Sequence, residues 1–389
     1  MVCPSARQTS LKKCVQKFKR YGNATSNAIS AEQMNSRVRF VTEKVNTCVA
    51  RSSRTSSRPR RSLCSLAGLG AATAILSQSP PSAEAFTLLT FDVDGTLVSS
   101  SGWAESAHGR AYPHAVKTIL SNNSEKPVNV PSVPDALRRE EYHGSTDGLI
   151  LLRLARAALN TPPPTAAAHL DDMFACMYDY IAELDDEEVG AGLTVLPGVI
   201  DTLERLADMN DEVICGLVTG NVEGIARRKM RAVGVHQTGA LSPPSAAQAA
   251  SKSWPGAEDI GFIGGFGSDY CSGDVDDADR NYLDRGEQIA IAVNRCREML
   301  SDGKRKLKRV THIGDAPADV LAAKSFSERC QEEGDDLCVG MVAVATGSYS
   351  ANELQELIGE RVEGTWEPVV MEDGMAADTG SFLRACGVL

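Results

Sequence analysis

The run FTLLTFDVDGTLV, Phe86–Val98, constrains this chain more than any other segment. Its apolar first half reads as a buried strand, and alternate side chains on a strand share a face. Asp92 and Asp94 are two residues apart, so both carboxylates fall on one face at the strand's end. Like charges held that close are costly unless a cation or a shared proton compensates them. Gly95 lets the chain turn sharply straight afterwards. Open parallel α/β sheets place ligands outside the carboxyl edge of their strands, where these acids would sit. An Asp-Gly β-turn accounts for Asp94 and Gly95, but not for Asp92 or the apolar residues before it.

Further along, apolar runs alternate with helix-like stretches, the pattern of a parallel sheet. Strands are expected at Phe86–Asp92, Glu212–Thr219, Ile260–Gly264, Val310–Asp315 and Leu337–Thr346, with a sixth candidate at Pro368–Met371. Helices are expected between them at Val222–Val233, Gln288–Leu300, Ala316–Phe326 and Ala351–Leu357. Residues 99–196 interrupt this alternation and read as helices without strong strands: Ala104–Leu120, Gly148–Leu159 and Ala166–Leu184. Gly198–Asp208 then returns to the sheet layer. The expected fold class is therefore α/β, with a Rossmann-like parallel-sheet core over residues 86–98 and 197–389. Residues 99–196 form an inserted helical cap domain. Gly144-Ser145-Thr146-Asp147 opens one cap helix and reads as its N-cap. Ser242–Ala257 and the acidic Cys271–Gly286 read as surface insertions. The second lacks the ligand spacing and terminal Glu of a calcium loop.

Charge divides the chain. Residues 1–85 hold 14 Lys+Arg and three Asp+Glu, a net of +11, and the whole chain is −11, so the remainder carries −22. A basic, Ser-rich, acid-poor leader on an acidic body reads as a targeting segment. Within it, Arg60-Arg61 precede a 14-residue apolar run, Leu63–Leu76, and Ala83-Glu84-Ala85 offers a small-x-small cleavage pattern. Spanning a bilayer needs about 20 residues, so the run fits a signal sequence rather than a stable membrane insertion. Together these features read as a two-part address, plastid (chloroplast) import followed by transfer into the thylakoid lumen. A single plastid or mitochondrial presequence is the simpler alternative. The acidic body argues against nucleic acid or an anionic membrane as the main partner, since both demand basic surface. Seven of the eleven cysteines lie in the body, with no C-x-x-C and no paired Cys/His spacing, which argues against a zinc site. Cys330 and Cys338 flank an acidic loop and are the pair placed to bridge in an oxidising compartment. Unpaired thiols are the simpler reading.

Four polar clusters follow one another: Asp92/Asp94, Thr219-Gly220-Asn221, Lys229 and Asp315/Asp319. Strands of a parallel sheet share one carboxyl edge, so clusters far apart in sequence can converge there. Each residue type suits phosphoryl transfer, which needs positioning and charge neutralisation above all. A carboxylate can attack phosphorus. A second can protonate the leaving oxygen and later activate water. Carboxylates can hold an oxygen-preferring cation such as Mg²⁺. A Thr hydroxyl, the backbone N–H groups after it and a Lys suit phosphate oxygens. Singly, these signals are weak. Thr219-Gly220-Asn221 is also a strand-to-helix cap, Lys229 is also a solvated lysine with Arg228 and Lys252 as rivals, and Asp319 is also a first-turn acid facing the helix dipole.

In that order, Phe91–Val98, Leu217–Asn221, Lys229 and His312–Asp319 resemble the four motifs of the haloacid dehalogenase-like phosphohydrolases. The helical insert resembles the cap of their phosphoglycolate-phosphatase-like branch, and GSTDGLI, GGFGSD and VAVATGSYSANEL add to the likeness. The resemblance implies Asp92 as nucleophile and Asp94 as general acid/base. It implies Thr219, Gly220, Asn221 and Lys229 on the phosphoryl group. It implies Mg²⁺ held by Asp92, Asp315 and the main-chain carbonyl of Asp94, with Asp319 in support. The Lys-Pro pair that many relatives carry is missing here. The expected activity is a Mg²⁺-dependent phosphomonoesterase acting on a small phosphorylated metabolite through an aspartyl phosphate, with 2-phosphoglycolate one candidate. The alternatives are a phosphosugar mutase on the same scaffold and a catalytically inactive binding protein of that fold.

Overall fold

The computed structural model describes residues 84–121, 129–209, 211–238, 263–300 and 305–389. The expected leader, up to Ala83, lies outside these residues, as do the Ser242–Ala257 insertion, Lys252 and the first part of the third expected strand. Six strands form one parallel sheet: β1 (Glu84–Phe91), β4 (Val213–Thr219), β5 (Ile263–Phe266), β6 (Arg305–Gly314), β7 (Cys338–Val344) and β8 (Trp366–Met371). Their order is β5-β4-β1-β6-β7-β8. The chain steps outward from β1 to β4 and β5, then crosses back and builds β6, β7 and β8 on the other side. The order therefore reverses between β1 and β6, which pair directly, Phe91 opposite Ile313. Such a reversal leaves a crevice outside the carboxyl ends of the two strands.

Strand periodicity sorts the core into two layers. Leu89 and Phe91 face one side, where they meet Val199 and Leu203 of α4 (Val199–Ala207), Met230 of α5 (Glu223–Ala232) and Phe382 of α9 (Thr379–Ala385). Leu88, Val218 and Val310 face the other, against Ile289 and Val293 of α6 (Asn281–Met299), Val320 and Phe326 of α7 (Pro317–Glu333) and Leu354 of α8 (Ala351–Ile358). Both faces of the sheet are covered, which explains why its strands read as apolar runs rather than alternating ones. Fully burying a side chain such as Phe91 contributes about 1.5–3 kcal/mol. Among the described residues, no helix is long and apolar enough to cross a membrane.

The insert is helical, as expected, and is led by α1 (Ala107–Leu120), α2 (Asp147–Leu159) and α3 (Leu170–Ala182). Its apolar core of Tyr112, Leu149, Leu152, Phe174 and Met177 continues into Val222 and Ile225 at the start of α5, so the insert packs against the helix that follows β4. Two short strands, β2 (Val98–Ser100) and β3 (Leu193–Val195), pair antiparallel where the chain enters and leaves the insert. They were not expected, because three residues are too few to show a period of two.

The largest correction concerns Cys271–Gly286. Its last six residues are not a surface insertion but the opening of α6, which starts at Asn281 rather than near Gln288. Asn281, Asp284 and Arg285 are buried. The reason lies across the chain. Arg153 of α2 donates to the carbonyls of Asp274 and Val275 and to the side chain of Asn281, and so clamps the acidic stretch against the cap. Arg156 pairs with Asp276 at 2.5 Å. Cys330 and Cys338 are both free thiols.

Candidate active site

At the carboxyl edge β1 delivers Asp92 and Asp94, and β6 delivers Asp315. The Asp92 N–H donates to Ile313 at 2.8 Å, which fixes the end of one strand against the other. The turn after Asp94 needs Gly95, whose φ is +91° and whose position has no room for a Cβ: one placed there would lie 2.4 Å from the Asp315 carboxylate. Gly347, in the loop after β7, approaches the same carboxylate still more closely, and its Cβ would meet Oδ2 at 1.7 Å. Asp319 stands in the first turn of α7, where it accepts from the Ala316 N–H at 3.1 Å. Half of a capping arrangement therefore holds this acid in place, and His312 on β6 contacts its other oxygen at 3.3 Å.

Asp92, Asp315 and Asp319 bring carboxylate oxygens within 4.8 Å of one another, all three buried. A single guanidinium enters the group. Arg285 Nη1 donates to Asp92 Oδ1 at 2.8 Å and to the Val218 carbonyl at 3.0 Å, and its Nε lies 3.5 Å from Asp319. Burial disfavours every one of these negative charges. At Asp315 burial dominates, its two neighbours add to it, and the pKa rises well above the ordinary carboxylate range. At Asp92 burial outweighs Arg285 and the pKa is raised. At Asp319 burial is overcome by Arg285 and His312, and the pKa is lowered. Three carboxylates against one guanidinium leave a surplus of negative charge, and oxygen donors in that number suit Mg²⁺. These residues fit the ion.

A second group forms beside the first. Lys229 Nζ lies 2.7 and 2.9 Å from the two oxygens of Asp94 and 2.8 Å from Asn221 Oδ1. Asn221 Nδ2 donates to Asp94 at 3.0 Å and to Thr219 Oγ1 at 2.9 Å. Burial alone would raise the Asp94 pKa, but Lys229, His108 and Asn221 outweigh it, and the carboxyl is held below its ordinary value. The helical insert reaches this group through Asp147. Asp147, first residue of α2, accepts from the Val222 N–H at 2.7 Å, from Tyr112 at 2.6 Å and from His108 Nε2 at 3.1 Å, while its own N–H donates to Gly220 at 2.8 Å. The Gly144–Asp147 turn thus does two things. Thr146 caps α2, and Gly144, Ser145 and Asp147 line a cavity of about 630 Å³ shared with Asp92, Asp94, Thr219, Asn221 and Asp315.

A model of the haloacid dehalogenase-like hydrolase family matches residues 86–327, more than half of the chain. The chain belongs to the haloacid dehalogenase-like hydrolases. Two solved structures share similarity with this family member. One is a β-phosphoglucomutase from a hyperthermophilic Pyrococcus, 13% identical, covering 70% of this chain and 99% of its own, with a TM-score of 0.27. The other is named as a candidate phosphoglycolate phosphatase from Lactobacillus delbrueckii subsp. bulgaricus, 14% identical, covering 76% and 97%, with a TM-score of 0.32. A search of curated proteins finds no match.

In this hydrolase the eight residues singled out from sequence, Asp92, Asp94, Thr219, Gly220, Asn221, Lys229, Asp315 and Asp319, all reach one edge of the sheet. Their pairing holds one surprise. The cation on Asp92 is Arg285, which the sequence does not single out, whereas Lys229 sits on Asp94. One signal for Arg285 exists. The helical spacing of Cys296, Val293 and Ile289 extends backward onto Arg285 and Asn281, all of them buried.

Proposed function

We propose that this chain is a phosphomonoesterase that uses Mg²⁺ and hydrolyses a small phosphorylated metabolite. The observation that carries this reading is the convergence of Asp92, Asp315 and Asp319 within 4.8 Å at the point where strand order reverses, with Asp94 two residues beyond. A bound Mg²⁺ would be held by Asp92, Asp315 and Asp319, and would offset the repulsion between carboxylate and phosphate. An Asp92 oxygen attacks phosphorus, the ester P–O bond breaks, and its electron pair leaves with the alcohol oxygen. Asp94 supplies the proton to that oxygen. It then takes a proton from the water that cleaves the aspartyl phosphate and releases inorganic phosphate. Lys229 holds Asp94 as a carboxylate in the free protein. A phosphate dianion competes for the ammonium, and as Lys229 turns to it Asp94 regains affinity for a proton. Arg285 orients Asp92 and favours its ionised form against burial, while Thr219, Asn221 and nearby backbone N–H groups receive phosphate oxygens.

The test is hydrolysis of p-nitrophenyl phosphate with and without Mg²⁺. Wild-type protein should release p-nitrophenol only with the ion, and Asp92→Asn should not release it at all. Undiminished turnover by Asp92→Asn removes the proposed nucleophile.

A further inference from the structure

A polar pair interrupts the apolar layer between the sheet and helices α6 and α7. Leu88 of β1 and Val310 of β6 belong to that layer. Two residues on, on the same face, come Thr90 and His312, which stand directly opposite each other across the two strands. Both are buried, at 0% and 1% exposure. Thr90 Oγ1 lies 3.1 Å from His312 Nδ1, and His312 Nε2 lies 3.3 Å from Asp319 Oδ1. The other Asp319 oxygen accepts from the Ala316 N–H at 3.1 Å. The carboxylate packs closely on the end of β6, where a Cβ on Gly314 would come within 2.4 Å of its carbon.

Burying a hydroxyl and an imidazole is costly unless they bond. Two apolar side chains of the same shape would hold the layer together about as well. The use of the pair therefore lies in its third member. An ionised carboxylate can only accept, so His312 Nε2 carries the hydrogen. In the neutral ring Nδ1 is then the acceptor, and the Thr90 hydroxyl donates to it. The donors run in one direction, from Thr90 through His312 to Asp319. Without them Asp319 Oδ1 is left with Arg285, whose Nε is 3.5 Å away and makes no hydrogen bond among the described residues. The same guanidinium is bonded to Asp92. A released Asp319 would turn onto it rather than toward a cation shared with Asp92 and Asp315.

Resting on the Mg²⁺ reading of the acidic cluster, we infer that His312 is a positioning residue for the cation: it holds the Asp319 carboxylate in the orientation that lets it share an ion with Asp92 and Asp315, and Thr90 fixes the imidazole tautomer that does so. Mg²⁺ demands near-ideal octahedral geometry, whereas Ca²⁺ accepts a larger and more flexible set of oxygens. Fixing one carboxylate from behind thus favours the smaller ion. The buried chain from Thr90 to Asp319 sets which divalent cation the site prefers, without either Thr90 or His312 touching it.

The test measures metal binding by the full-length protein with no phosphate ester present. Free Mn²⁺ is read by electron paramagnetic resonance, and Mg²⁺ and Ca²⁺ are added as competitors to obtain the affinity for each. Three variants are compared with wild type: His312→Gln keeps an N–H donor, Thr90→Val removes the hydroxyl alone, and Thr90→Val/His312→Phe replaces the pair by apolar groups. The double variant should weaken Mg²⁺ binding roughly 10- to 100-fold and Ca²⁺ binding much less. His312→Gln should retain most of the Mg²⁺ affinity, and Thr90→Val should fall between. An unchanged Mg²⁺ affinity in the double variant overturns the inference. So does an equal loss for both ions, which is what a purely structural role would give. If the double variant does not fold, Thr90→Val decides: a lowered ratio of Mg²⁺ to Ca²⁺ affinity supports the inference, and a wild-type ratio overturns it. Wild-type protein that binds neither ion overturns the inference together with the metal reading. Wild-type protein that binds Mg²⁺ but hydrolyses no phosphate ester would count against the phosphatase reading alone, while the titrations still decide the role of His312.

Discussion

Arg285 Nη1 stands 2.8 Å from Asp92 Oδ1 across 193 residues of sequence, with both side chains buried. This one cation lies against three buried carboxylates, so its removal leaves charge uncompensated. Breaking a buried pair by deleting one partner costs about 3–5 kcal/mol. Arg285→Met should lose about that much stability in urea unfolding with EDTA present, and Mg²⁺ should restore part of it. Arg285→Lys should lose less. Equal stability of Arg285→Met and wild type would show that the pair is not formed in solution.

Asp315 gives a prediction in pH. Burial first, then Asp319 and Asp92, raise its folded pKa well above the ordinary value. The folded state therefore binds the proton more tightly than the unfolded state. Stability is present below the unfolded pKa, about 3.9, and is lost as pH rises through the folded value. In EDTA, Asp315→Asn should be more stable than wild type at neutral pH, and the gap should close toward pH 4. With Mg²⁺ the order should reverse, because the substituted side chain is a poorer ligand. Denaturant unfolding at several pH values checks both signs.

Lys229 acts on Asp94 in the opposite sense. Burial raises that carboxyl, but Lys229, His108 and Asn221 bring it below its ordinary value. Lys229→Met removes the strongest of these opposing influences, so the limb of the pH–rate profile for kcat/KM that reports loss of the Asp94 proton, the basic one, should move to higher pH. An unmoved limb would show that Lys229 does not govern Asp94 during turnover.

The path from sequence to site was clear where local pattern carried it. The apolar runs that became β1, β4, β6 and β7 end in polar clusters, and parallel pairing forces those clusters onto one edge. Asp92, Asp94, Thr219, Asp315 and Asp319 were therefore legible. Arg285 was not, because its surroundings, GDVDDADRNYLDRG, have the composition of a solvated loop. What buries them is Arg153, whose bond to Asn281 spans 128 positions. The partner of Lys229 was hidden for a related reason. A lysine on the helix after β4 can reach either acid of the Asp92/Asp94 pair, and only the packing of α5 decides which.

Asp147 gives a prediction about the cap. It accepts from Val222, Tyr112 and His108 with almost no exposure. Asp147→Ala strands three buried donors and should cost about 3–5 kcal/mol in urea unfolding. A loss below about 1 kcal/mol would mean that water satisfies those donors, so that the contact contributes little to holding the cap down.

The expected leader can be tested at its junction. Glu84 and Ala85 are exposed at the start of β1, and Phe86 is the first buried residue. Cleavage after Ala85 would spare the core. Full-length protein expressed in plastid-bearing cells should accumulate in plastids with Phe86 as its first residue, read by N-terminal sequencing of the purified form. A start well upstream would exclude the lumenal route.

Arg153 makes five hydrogen bonds, and three of them leave the insert for Asp274, Val275 and Asn281. Asn281 begins the helix that holds Arg285 one turn later. A hinge movement that lifts α2 must therefore break those three bonds or drag the foot of that helix along. The guanidinium beside Asp92, the proposed nucleophile, is tethered to the roof, so access and readiness would trade against each other through one side chain.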